Sequence, residues 1–201
     1  MSFDDVLNWR YATKKFKNQK VSEDILSTIL EIIRLTPSSF GLQPYHITVI
    51  EDQGLKARLK PLRNESQVLT CSHLLVFSAD NDTEKSIHRL FSNGQGAKRH
   101  DLAPENLSQF KKKVFDFLRE VGPEWPAKQA YIALGFAMMG CAQLKVDCCP
   151  MEVFSPADFK QILKLPENLE PKVLLAIGYR DGEDAPKTKV RLAHDELFDI
   201  R

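Results

Sequence analysis

Residues 126–144 constrain this chain more than any other stretch, because from position 130 to 142 they are apolar almost all round. Proline is tolerated in a first helical turn, where the N–H it lacks would have had no partner. The segment therefore reads as the longest helix. A helix without a polar face has to be buried on every side. A chain of 201 residues can do that only at its centre, and a homodimer interface does it more easily. Gly135 and Gly140 weaken the helix but permit close packing, in keeping with that expectation. The uncharged run 130–143 is too short to cross a bilayer, which takes about 20 residues.

The other elements can be placed around this helix. Ser2 and Asp5 form a capping pair for a short first helix, with Phe3, Val6 and Leu7 expected to face inward. Ser22 opens a second helix with a broad apolar face (Ile25, Leu26, Ile29, Leu30, Ile32, Ile33), and Pro37 stops it. Residues 46–50 alternate as a half-covered strand, whereas 74–77 and 173–177 are continuous apolar runs that read as buried central strands. Residues 106–121 make a helix with Phe110, Val114, Phe115, Phe117 and Leu118 near one side. No repeat or linker divides the chain, so residues 1–201 read as a single domain.

Charge balances to +1, with 27% charged and 43% hydrophobic residues, which is ordinary globular composition. It lacks the basic excess that broad nucleic-acid binding needs. Cys71, Cys141, Cys148 and Cys149 neither form a disulfide framework nor show zinc spacing, and the five histidines have no metal pattern. The first residues lack the basic and apolar blocks of a secretory signal. A reducing cytoplasm is the expected compartment, with no membrane partner.

Two cationic groups lie near opposite ends: Arg10-Tyr11-Ala12-Thr13-Lys14-Lys15-Phe16 and Lys187-Thr188-Lys189-Val190-Arg191. Most lysines and arginines are simply solvated. Converging ones, completed by hydroxyls and backbone N–H groups such as those around Ser38 and Ser39, are what a phosphate requires. Residues 36–44, Thr-Pro-Ser-Ser-Phe-Gly-Leu-Gln-Pro, follow the second helix. Lys128-Gln129-Ala130-Tyr131 lies on the long helix and Pro150-Met151-Glu152-Val153-Phe154 after it. Ile177-Gly178-Tyr179 comes before the final cationic group. In this order and spacing the chain resembles the FMN-dependent nitroreductase family over nearly its whole length.

That resemblance implies an α+β fold, with a central mixed, mainly antiparallel sheet flanked by helices and the long buried helix at a dimer interface. FMN would be shared between two subunits, with NAD(P)H as co-substrate. Arg10, Lys189 and Arg191 would hold the phosphate, and Ala12 falls within that segment. Lys14 and Asn64 would meet the pyrimidine edge of the flavin. Pro37, Ser38, Ser39 and Gly41 would come from the partner subunit. Pro150, Met151 and Glu152 would pass beside the ring, the Glu152 backbone N–H directed at N5. No side-chain catalytic acid or base is required. Phe115 and Phe117, although well suited to core packing, are the candidates for the substrate pocket.

Two positions depart from the family pattern. Ala12 replaces a serine, so a phosphate hydroxyl is missing, with Thr13 or backbone groups as possible substitutes. Gln67 stands where bacterial members carry a lysine, which implies a lower flavin potential than in those members. No GxGxxG fingerprint follows a strand, and Gly94-Gln95-Gly96 reads as a turn. The leading reading is a ping-pong oxidoreductase that passes electrons from NAD(P)H to a nitroaromatic, quinone or similar flat acceptor. The alternatives are a pteridine, flavin or enone reductase, a small-metabolite dehydrogenase, or a non-catalytic flavin binder. Residues 80–107 are expected to set substrate preference. The apolar tail 192–201 is expected to wrap the partner subunit as an added edge strand.

Overall fold

The computed structural model describes residues 2–59, 61, 65–92 and 103–201. Four antiparallel strands form one sheet in the order β1-β2-β4-β3: β1 (Tyr45–Ile50), β2 (His73–Asp80), β3 (Asp147–Met151) and β4 (Leu169–Gly178). The two continuous apolar runs are the middle strands, as their lack of alternation requires, because helices cover both faces. Register holds from His73 opposite Ile177 and shifts between Phe77 and Ser78.

Each face of the sheet carries its own core. On one, Leu75, Phe77, Val173, Leu175 and Ile177 pack against α2 (Glu23–Arg34) and α7 (Trp125–Gln143) through Ile29, Ile33, Ala133, Leu134, Ala137 and Cys141. On the other, Leu74, Val76, Leu174 and Ala176 meet Phe16, Leu59, Val68, Phe154 and Phe159. Phe16 comes from the segment between the first two helices, the others from around α3 (Gln53–Arg58), α4 (Glu65–Thr70) and α8 (Pro156–Ile162). The period-2 alternation of β3 sends Cys148 to the first core and Cys149 to the second. A third cluster, with Ile87, Leu90, Phe91, Val114 and Trp125, joins α5 (Thr83–Ser92) to α6 (Leu107–Glu120).

Two expectations about burial need correction. The capping box of α1 (Phe3–Trp9) is present, yet only Val6 is buried and Phe3 and Leu7 are exposed. A seven-residue helix laid on α7 presents a narrow stripe, and those two side chains flank it. The long helix is also not buried all round within one chain. Tyr131, Ile132 and Phe136 remain 39%, 41% and 44% exposed along one side. Gly140 does serve close packing, since a Cβ there would sit 2.7 Å from Ile32 Cδ1, whereas one at Gly135 would meet nothing within 4 Å.

Candidate functional site

The chain leaves α1 at Arg10 and runs in extended form along the β3 edge, where Ala12 bridges Cys148 in parallel. Asp147, at the start of β3, fixes this run. Its Oδ1 accepts from Arg180 Nε at 2.7 Å and its Oδ2 from the Arg180 backbone N–H at 2.8 Å. Thr13 Oγ1 donates to Asp147 Oδ1 at 3.4 Å, and Thr13 is fully buried. Thr13 therefore cannot supply the phosphate hydroxyl missing at Ala12; its hydroxyl is engaged in the interior. The Arg180 guanidinium lies 4.5 Å from the centre of the Trp9 ring and 4.9 Å from that of Tyr11, a stacking that suits its planar charge.

Above this clamp the predicted phosphate residues come together. Lys189 Nζ donates to the Asn8 carbonyl, which ties the C-terminal segment back to the end of α1. The Lys189 pKa is pushed down, first by desolvation and then by repulsion from Arg10, Arg191 and Arg180. Asp147 neutralises Arg180. Among the described residues, no carboxylate pairs with Arg10, Lys189 or Arg191. Cations that converge without an internal counter-ion have the chemistry to take up an anion such as a phosphate.

Lys14 stands next along the same edge. Asp184 Oδ2 accepts from its backbone N–H at 2.5 Å and from that of Lys15 at 3.1 Å, while the Lys14 ammonium lies 3.9 Å from Cys149 Sγ. Gln67 is buried nearby, and its side chain acts to lower the pKa of the same thiol. Pro150 and Met151 finish β3, and Glu152 lies one residue past the last paired position. The Glu152 carboxylate accepts from Tyr131 Oη at 2.5 Å. This contact and the desolvation of the ring push the Tyr131 phenol up to about 12, burial being the larger cause. Asn64 falls outside the described residues, as do Gly94 and Gly96 and much of the polar region expected to set substrate preference.

Pro37, Ser38, Ser39 and Gly41 occupy a different place. Their loop feeds β1, at the sheet edge opposite β3, roughly 14 Å away across three strand spacings. Ser38 Oγ accepts from the Gln43 N–H at 2.9 Å, and the Ser39 N–H donates to Gln129 Oε1 at 3.0 Å. Phe40, at φ 54°, and Gly41, at φ 64°, take left-handed conformations. This turns the Phe40 ring into T-shaped contact with Phe117 at 5.2 Å and Phe110 at 6.2 Å. Phe117 also meets Trp125, and Phe115 meets His88. Both aromatic candidates thus pack in the third cluster behind this loop. Pro37, Ser38, Phe40 and Gly41 line a cavity of about 470 Å³.

Asp147, Arg180, Asp184, Cys149 and Gln129 were not singled out for these roles in the sequence. Only Gln129 lay in a quoted motif, and nothing there assigned it a partner. The others carry no local signal, since each acts on a segment remote in the chain.

A model of the nitroreductase family matches residues 7–179. The chain belongs to the nitroreductase family. A Staphylococcus saprophyticus protein bearing the provisional name NAD(P)H nitroreductase is 35% identical over 97% of this chain and 94% of its own length. Among solved structures, a provisionally named nitroreductase from Bacillus subtilis superposes with a TM-score of 0.88 at 21% identity, covering 99% of this chain and 98% of that one. A second, from Exiguobacterium sibiricum and solved in complex with FMN, gives 0.84 at 21% identity over 100% and 98%. The nitroreductase α+β fold expected from the motifs is present, its sheet antiparallel throughout the named strands.

Proposed function

We propose that this chain is an FMN-dependent NAD(P)H oxidoreductase whose working unit is a homodimer. One observation carries the cofactor reading: Arg10, Lys189 and Arg191 converge without an acidic partner among the described residues. The donor set fits a phosphate, and no hydroxyl is needed from the buried Thr13. Lys14 and Gln67 would offer donors to the pyrimidine edge, and the Glu152 backbone N–H would face N5. FMN, when bound, supplies two-electron transfer between a nicotinamide and a flat acceptor such as a nitroaromatic or quinone, by a ping-pong sequence. The chain's own residues bind, orient and supply charge.

The dimer reading rests on two sets of exposed apolar side chains and on the split of the site. Tyr131, Ile132 and Phe136 form an uncovered strip on α7, and Leu197, Phe198 and Ile200 an uncovered tail. Contiguous apolar surface of this kind marks an association site. The Ser38 loop and the cationic group lie at opposite sheet edges, so a second copy would bring one chain's loop to the other's cations. Gln67→Lys in the dimer is expected to raise the flavin potential by adding charge beside the ring.

The test uses purified protein reconstituted with FMN. Bleaching of the flavin bands by NADH or NADPH without oxygen, then recovery on adding a nitroaromatic or quinone, supports the proposal. Bleaching that neither acceptor reverses assigns a different acceptor. No bleaching indicates a flavin binder, and an apoprotein that takes up no FMN overturns the reading.

A further inference from the structure

Four thiols are buried in this chain; Cys71 has the Lys56 ammonium near it, and Cys141 and Cys148 act on one another. Cys149 differs. Its sulfur joins three segments, each of which holds a residue of the candidate flavin site. Lys14 Nζ lies 3.9 Å away and the thiol's own S–H is directed at the Pro150 carbonyl at 3.7 Å, while the buried Gln67 side chain acts to lower the thiol's pKa. Gln67 Oε1 accepts from Ser66 Oγ at 3.0 Å, which leaves the amide nitrogen as the donor through which Gln67 can act on the thiol. With the S–H turned to Pro150, the sulfur lone pairs are left for two donors, the ammonium and the amide.

The choice of sulfur matters. A hydroxyl would draw the ammonium to about 2.8 Å, roughly 1 Å nearer β3, and would bind it more strongly. A thiolate would pair off the Lys14 charge. Burial raises the Cys149 pKa above the ordinary thiol value, against the smaller lowering by Lys14, so the group is a neutral thiol at neutral pH.

We propose that Cys149 is a positioning residue for the flavin's pyrimidine edge, a weak neutral acceptor that holds Lys14 and Gln67 in place while leaving their donor capacity for the ring. The proposal rests on the FMN reading above. It makes the preference for reduced over oxidised flavin depend on an atom that need not touch the cofactor, because the ammonium stabilises the more negative, reduced form.

The experiment measures dissociation constants of full-length protein for oxidised FMN and for FMN reduced anaerobically with dithionite. In Cys149→Ser the oxidised affinity is expected to stay within about threefold of wild type. The ratio favouring reduced flavin should fall about tenfold, equivalent to about 30 mV for a two-electron couple. Cys149→Ala, which deletes the acceptor without adding a hydroxyl, should also lower the ratio. In a Lys14→Met background Cys149→Ser should change it less than twofold, since the two act through one contact. Cys148→Ser, on the opposite face of β3, should leave it unchanged. A wild-type ratio in both Cys149 variants overturns the proposal. So does an equal shift with Lys14 removed, or an equal shift from Cys148→Ser, which would mark a general disturbance of the strand. Wild-type protein that binds FMN in neither redox state removes the flavin reading itself and this proposal with it.

Discussion

Asp147 holds Arg180 at both ends, one carboxylate oxygen on Nε at 2.7 Å and the other on the backbone N–H at 2.8 Å. Through Thr13 the same carboxylate also reaches the segment that carries Arg10 and Lys14. Among the described residues it is the carboxylate that pairs with Arg180, the fourth cation beside Arg10, Lys189 and Arg191. Removing one partner of a buried pair typically costs about 3–5 kcal/mol. The Arg180 side chain keeps 23% exposure, so Asp147→Asn is expected to cost somewhat less, roughly 2–4 kcal/mol. A lower urea midpoint with an unchanged m-value checks this; a midpoint within experimental error of wild type would show that the clamp contributes nothing.

Lys189 and Arg191 lead to a prediction of opposite sign for apoprotein and complex. Each repels its neighbours in the free chain, so Arg191→Met should leave apoprotein stability unchanged or slightly raised, while Lys189→Met, which also gives up the bond to the Asn8 carbonyl, should come out close to neutral. A charge-assisted hydrogen bond is worth about 1.5–3 kcal/mol, so either variant should weaken FMN binding by roughly 10- to 150-fold. The loss should shrink as salt is raised from 0.05 to about 0.5 M, where charges are screened over a few ångströms. Fluorescence titration at two ionic strengths gives both quantities.

His73 is buried at the start of β2, where Ser72 Oγ accepts from the Val21 N–H at 2.8 Å and lies 2.9 Å from His73 Nδ1. Burial lowers its pKa, against the attraction of Glu51; Lys20 and Lys56 lower it further. The folded chain therefore binds fewer protons than the unfolded one below the ordinary histidine value of about 6.5. Stability rises with pH in that window. It should be complete above about pH 6.5 and decline as the pH falls through the depressed folded value. Wild type should lose more stability between pH 7.5 and 5.5 than His73→Gln, measured by urea unfolding. Equal losses would mean that the imidazole does not titrate differently in the two states.

The two glycines of α7 should respond in opposite directions. Alanine in a helix interior gains about 1 kcal/mol over glycine. At Gly140 the new Cβ would press on Ile32 at 2.7, 3.2 and 3.5 Å, so a β-branched side chain must move as a whole. Such overpacking costs about 1–3 kcal/mol, making Gly140→Ala neutral to destabilising. Gly135→Ala meets nothing within 4 Å among the described residues and should stabilise the chain, unless the partner subunit packs there. Unfolding midpoints at several protein concentrations separate those outcomes.

The cations at the two ends, the serine loop and the long apolar helix were readable because each is a local pattern of residue type. What joins them was not. Asp147 and Arg180 are 33 positions apart, and a single acid with a single arginine at that distance forms no pattern. Cys148 and Cys149 are identical letters side by side, and only the strand register sends one into the first core and the other into the second, beside Lys14. Thr13 looked available because it follows the missing serine, yet the extended run along β3 turns its hydroxyl inward. The α7 face looked buried for a sound reason: the helix has no polar side. Within one chain, that requirement is left unmet at Tyr131, Ile132 and Phe136.

The tail provides the decisive test of that unmet burial. Leu197, Phe198 and Ile200 are exposed, Ile200 at 88%; Leu197 ends a single helical turn, α9 (His194–Leu197), and the other two follow it. Burying a leucine, isoleucine or phenylalanine is worth about 1.5–3 kcal/mol each, so a tail docked on a second copy would contribute several kcal/mol to association. Deleting residues 193–201 should raise the dimer dissociation constant by at least 100-fold, each 1.4 kcal/mol being tenfold. Because each flavin site would draw on both copies, FMN should be lost in parallel. Phe136→Glu, which puts a charge in the α7 strip, should weaken the dimer in the same way while sparing the monomer fold, since that side chain is 44% exposed. Sedimentation with detection at the flavin band reads assembly and cofactor together. A truncated chain that sediments as wild type with its flavin would place the interface elsewhere.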